Sequence, residues 1–194
     1  MGETLAGSHS MNTSSQLETA PAALESIVFG KQDSTVFALL DGASSPKLVK
    51  LLYDNKPEFC CLYPGELKAD IAAVAPYLVR LEAGKEFTGI VLKEGWGAHW
   101  GVFVSSASDL RALRDHFREF HKVELPDQRT VIFRYYDPRV LRIFLPVSNQ
   151  PELATFFGPV QTFIVEGESA ETGIKFGLAG HALKAQPFQL KKPG

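Results

Sequence analysis

Five consecutive apolar residues, Val36-Phe37-Ala38-Leu39-Leu40, lie between Thr35 and the turn pair Asp41-Gly42. A short continuous apolar run bounded by turn residues reads as a strand, and a strand with no polar alternation needs cover on both faces. Helices packed on the two sides of a sheet provide that cover. The next residues supply the first of them. Ser45-Pro46 reads as an N-cap followed by proline at the first helical position, where its missing N–H costs nothing. Leu48, Val49, Leu51 and Leu52 carry the helix to Asn55, and Pro57 stops it. Glu58 to Tyr63 reads as a second strand, broken by Pro64-Gly65. Strand, helix and strand in this order form a β-α-β signature.

The pattern continues along the chain. Tyr77 to Leu81 reads as a strand, while residues 66–75 carry no clear period. Glu86 to Glu94 has helical spacing and ends at Gly95 and Gly97; His99 to Val104 is again a strand. Ser106 and Asp109 have capping-box spacing ahead of the clearest amphipathic helix, in which Leu110, Leu113, Phe117 and Phe120 share one face. On its polar face, Asp115 and Glu119 are within reach of Arg111 and Arg118. Thr130 to Tyr136 reads as a strand and Asp137-Pro138 as a helix start, followed by a helix to Pro146 and a short one from Pro151 to Phe157. Phe163–Glu166 and Ile174–Leu178 complete the strands. The expected fold is α/β, a single domain over residues 25–190 with a mixed β-sheet flanked by helices. Residues 1–24 are set apart as a tag remnant and N-terminal segment, because Gly7-Ser8-His9 reads as a vector scar and Met11 as a start.

Composition narrows the function classes. Hydrophobic residues make up 45% and charged residues 22%, the balance of a globular chain with a core. A net charge of −2 argues against nucleic acid as a partner. No apolar stretch reaches the ~20 residues of a membrane span, and no signal peptide is visible, so the expected location is cytoplasmic with no membrane partner. Cys60 and Cys61 are adjacent, which suits buried thiols in a reducing compartment better than a disulfide.

Catalytic motifs are scarce. There is no P-loop and no HExxH pair, Asp41-Gly42-Ala43-Ser44-Ser45 lacks the last glycine of a nucleophile elbow, and His116 and His121 are badly spaced to share a metal. The expectation is a protein without catalytic residues, metal or cofactor. His99, between Trp96 and Trp100, is the one lone histidine with catalytic context; general acid–base work would need a positioned partner.

The most distinctive segment is Phe133-Arg134-Tyr135-Tyr136-Asp137-Pro138-Arg139-Val140-Leu141. Strand alternation would send Phe133 and Tyr135 to one face and Arg134 and Tyr136 to the other. Asp137 and Pro138 then form a structural cap that Arg134 and Arg139 approach. Arg134, Tyr136 and Arg139 are the candidate partner-binding residues, since Arg and Tyr are typical interface anchors.

Together with Phe37–Ala43, Trp100, the Leu110–Phe120 helix and Phe156-Phe157-Gly158-Pro159-Val160, this segment resembles the VgrG-adaptor and effector-chaperone family of bacterial type VI secretion. The resemblance spans roughly residues 35–165. It implies a non-enzymatic cytoplasmic adaptor-chaperone, typically encoded beside a spike protein and a toxic effector, that binds its cognate secreted effector and helps load it onto the VgrG spike protein. An immunity protein that neutralises a toxin, or a small hydrolase using His99, is the alternative.

Overall fold

The computed structural model describes residues 20–30, 33–124 and 128–190. In chain order the elements are helix α1 (Ala20–Val28), strand β1 (Thr35–Asp41), helix α2 (Leu48–Asn55), strand β2 (Phe59–Cys61), helix α3 (Ala69–Val74), strand β3 (Pro76–Leu81), helix α4 (Glu86–Ile90), strand β4 (Gly101–Ser106) and helix α5 (Leu110–Arg118). Strands β5 (Lys122–Glu124) and β6 (Thr130–Ile132) follow, then helices α6 (Pro138–Val147) and α7 (Gln150–Phe157) and strands β7 (Val160–Glu166), β8 (Thr172–Ala179) and β9 (Ala182–Gln189).

Seven strands form one sheet in the order β2-β3-β1-β4-β7-β8-β9, and β5-β6 is a separate hairpin. Every pairing is antiparallel, so the sheet is not mixed in its pairings. The β-α-β unit is real in chain order, but β3 inserts between β1 and β2 and runs against both. The two outer members therefore point the same way without touching.

β1 sits near the middle and is buried on both faces, as its apolar run requires. Its period-2 alternation sorts residues into two cores. Phe37 and Leu39 join α5, α6 and α7 through Leu113, Phe117, Leu141, Leu145 and Phe156. Val36, Ala38 and Leu40 join α1, α2 and α4 through Leu24, Val28, Leu48, Leu52 and Phe87. The result is three layers with helices outside. Residues 20–24, which the sequence sets apart with the leading segment, are instead the start of α1, whose Leu24 is buried. The proposed tag, residues 1–10, lies outside the described residues.

Several helix starts differ from expectation. Ser45 does not cap α2; Asp41 instead caps the short 3₁₀ turn Gly42–Ser44, and α2 begins after Lys47. Ser106 does not cap α5. Its hydroxyl donates to Pro159 O at 2.7 Å, while Asp109 caps the helix by accepting from Ala112 N at 2.8 Å. Arg118 does not pair along α5 either. It donates to the carbonyls of Cys61, Leu62 and Tyr63, holding the segment at the end of β2. α7 carries a full capping box between Asn149 and Glu152. Cys60 and Cys61 are free and half-buried, and burial pushes the Cys60 thiol up to about 11.

Gly101 opens β4 opposite Leu40, and a Cβ there would overlap the Leu39 carbonyl. That carbonyl belongs to the central strand and has no room to retreat. Gly101→Ala should therefore destabilise the fold by about 3 kcal/mol, the upper range for overpacking. A urea-unfolding midpoint equal to that of the parent protein would refute the close approach.

Candidate functional site

The charged residues of the Phe133–Leu141 segment meet the sheet at one end, where β1 finishes and β4 begins. Asp41, the last residue of β1, ties to β4 through its backbone N–H, which donates to Trp100 O at 2.7 Å. Its carboxylate is almost wholly buried. It accepts from Ala43 N at 3.0 Å, from Ser44 Oγ at 3.1 Å and from Arg134 Nη2 at 2.5 Å. A buried carboxylate needs such donors, because an unanswered charge inside a protein costs far more than the fold can spare.

The same Arg134 nitrogen lies 3.7 Å from Asp137 Oδ2. Asp137 is the N-cap of α6 and is followed by Pro138 at the first helical position. Its Oδ1 accepts from Arg139 N and Arg139 Nε, both at 3.0 Å, and its Oδ2 accepts from Arg139 Nη2 at 2.8 Å. Asp137 thus satisfies one orphan helix amide and grips one guanidinium edge-on. Burial alone would raise its pKa; the Arg139 side-chain and backbone hydrogen bonds and the charge of Arg134 outweigh that and hold the carboxyl below its usual range. Arg134 and Arg139 are raised in turn, by hydrogen bonds to Asp41 and Asp137 respectively.

A second cluster adjoins this corner. His99 sits in the left-handed region at φ 59° and meets the Glu166 carboxylate through Nδ1. Glu166 is buried at the end of β7, and its other oxygen accepts from Gly97 N at 2.5 Å. Arg142 of α6 donates to the backbone carbonyls of Glu166 and Gly167. Trp96 Nε1 donates to Ala170 O at 2.8 Å. The loop between α4 and β4 is therefore clamped onto the β7–β8 turn. His99 thus has the acidic partner that sequence could not name. Among the described residues, no hydroxyl or thiol hydrogen-bonds to its ring, and no group of three His, Cys, Asp or Glu residues is placed to hold a metal ion.

Of the residues singled out in the sequence, Arg134 and Arg139 come together on the surface, with side chains 43% and 51% exposed. Asp137 and Pro138 lie buried beneath them. Tyr136 does not join the exposed set. It is 2% exposed and packs against His121 and Tyr135. The strand reading failed here because β6 ends at Ile132, and residues 133–136 form a turn that turns both tyrosines inward. Asp41 and Glu166 were the functional candidates the sequence reading missed.

The charge at position 137 can be separated from the cap, since Asn also caps helices well. A carboxyl held below its usual range stabilises the fold fully above that range and loses the contribution as pH falls through the lowered value. Asp137→Asn should therefore lower stability by about 2 kcal/mol near neutral pH. The gap to the parent protein should close as pH drops below about 4. Urea midpoints recorded across pH check this; a gap independent of pH would show that the carboxylate charge contributes nothing.

Comparison with known proteins gives one result that bears on identity. Residues 36–155, more than half of the chain, match the family model described as a domain of unknown function, DUF4123. No curated protein and no solved structure matches significantly. The matched stretch holds Asp41, His99 and the whole Arg134–Arg142 corner, while Glu166 falls beyond it. The chain belongs to the DUF4123 family, which is associated with effector adaptors of type VI secretion.

Proposed function

We propose that this protein is a non-enzymatic adaptor-chaperone that holds a secreted type VI effector in the cytoplasm and helps load it onto the VgrG spike. The family supplies the context, and no helix among the described residues is long and apolar enough to cross a membrane. The observation that carries the reading is the arrangement of charge at the α6 corner. Asp41, Asp137 and Glu166 are buried, whereas Arg134 and Arg139 lie above them half-exposed. The buried carboxylates need these cations for the fold, yet each guanidinium also keeps about half of its surface in solvent. Guanidiniums fixed in place with free N–H groups outward are a recognition surface.

His99 and Glu166 act in this reading as a clamp on the α4–β4 loop. Their geometry also suits general acid–base work, which keeps a hydrolase as the second reading. Two measurements separate the possibilities. Affinity capture from the native host should recover the effector and the spike protein encoded nearby, and deletion of the gene should abolish secretion of that effector. Recovery of neither, with secretion unchanged, would overturn the adaptor reading. His99→Gln should leave effector delivery intact; a protein that still folds and binds yet no longer supports delivery would favour the catalytic reading.

A further inference from the structure

An apolar groove of ≈ 590 Å³ opens between the β5–β6 hairpin and helices α6 and α7. Its floor is aromatic. Phe133 meets Phe144 edge-on with centroids 4.7 Å apart, Phe144 meets Phe156 at 5.2 Å, and Phe120 meets Phe156 at 5.1 Å. Val123 and Val131, paired directly across the hairpin, form one wall and are both exposed. Aromatic residues, Phe among them, are enriched in the buried core of protein interfaces, and a packed aromatic floor beside an open apolar wall suits such a contact.

The apolar surface does not stop at the groove. Ile143 and Val147 on α6 are 68% and 78% exposed. At 3.6 residues per turn, Phe144, Val147, Ile143 and Arg139 follow one another around the outward side of the helix, each roughly 40–60° from the last. One strip thus leads from the groove floor over α6 to the guanidiniums of Arg139 and Arg134. The carboxylates that hold those guanidiniums lie underneath, so an approaching group meets cationic edges first. The complement of this strip is apolar along its length and anionic at one end.

Main-chain pairing is poorly served at the β9 edge of the sheet. β9 carries Pro187 opposite Ile174, which interrupts its row of N–H donors, and Lys184 nearby. Side-chain insertion into the groove has no such obstacle. Negative residues also suit the first turn of a helix, where they oppose its dipole. We propose that the strip seats one amphipathic helix of the secreted partner. Its apolar residues, spaced a turn apart, fill the groove and cross Val147 and Ile143, and a carboxylate in its first turn meets Arg139 and Arg134. The proposal rests on the adaptor reading and assigns that reading a surface and a partner chemistry.

The test is calorimetric titration of the purified chain with the effector encoded beside its gene. The Ile143→Glu/Val147→Glu double variant, altered only at exposed positions, should bind about tenfold or more weakly. Its thermal midpoint should match that of the parent, and Val131→Lys replaces it if it does not. The parent's affinity should fall as salt is raised, and Arg139→Gln should flatten that dependence. Parent-like affinity in the folded variants overturns the surface assignment and leaves the adaptor reading standing, whereas no binding by the parent overturns both. An affinity indifferent to salt removes the carboxylate from the proposal. Sedimentation of the chain alone as a dimer that Ile143→Glu dissolves would assign the strip to a second copy and overturn the proposal.

Discussion

Arg134 ties the end of β1 to the start of α6. One of its nitrogens answers Asp41 at 2.5 Å and stands 3.7 Å from Asp137. Both aspartates are buried, and neither could be buried ionised without a cation beside it. Asp41 terminates the central strand and shapes the turn that leads to α2. Asp137 starts α6. The residues between Arg134 and Asp137 must therefore follow a path that delivers the guanidinium to the strand end. That path turns Tyr135 into the core, where its hydroxyl donates to Phe117 O at 2.8 Å. The placement of Tyr135 against α5 and the start of α6 is thereby coupled to the position of one guanidinium.

The parts of the structure legible in the sequence are those decided locally. The apolar run Val36–Leu40, the one-sided helix from Leu110 and the Asp137-Pro138 cap each rest on neighbours within a few residues, and each has its counterpart in the fold. The site depends on contacts across the chain. Asp41 and Arg134 are 93 residues apart, and His99 and Glu166 are 67 apart. Neither aspartate nor glutamate announces its partner, because any carboxylate at a strand end reads first as a turn residue. Tyr136 was misplaced for a related reason: aromatic residues continue past Ile132, so strand propensity overran the true end of β6. β9 escaped notice because its side chains are largely exposed and it contains Pro187. As an edge strand it lacks the buried face that produces a readable alternation.

The two faces of the sheet serve different ends. On one, α1, α2 and α4 close over Val36, Ala38 and Leu40 in a core of mixed aliphatic and aromatic side chains that includes Phe87, Phe103 and Trp100. On the other, α5, α6 and α7 rest on a mass of aromatic rings that runs from Phe163 through Phe156 to Phe133 and Phe144. Those rings continue to the surface instead of ending beneath it. The generous phenylalanine content, 14 of 194 residues, is therefore partly core and partly the floor of an open groove. Composition alone could not divide the two roles, since a ring in either place contributes the same residue to the count.

Groove and corner would contribute differently to recognition. Aromatic floors release ordered water and bury large rigid side chains, so most of the affinity should come from the groove. The guanidiniums start from a weaker position, because Asp41 and Asp137 already neutralise much of their charge. Their advantage is order. An exposed arginine loses rotamer freedom when it binds, whereas Arg139 is already held edge-on by three hydrogen bonds to Asp137, two of them from the guanidinium. Little is left to lose on meeting a partner, and a misplaced or like-charged group finds no way to push the cation aside. A corner of this kind adds modest attraction and strong discrimination. In the proposed complex it would set the direction in which the partner helix lies along α6, and the apolar groove beside it would set how tightly.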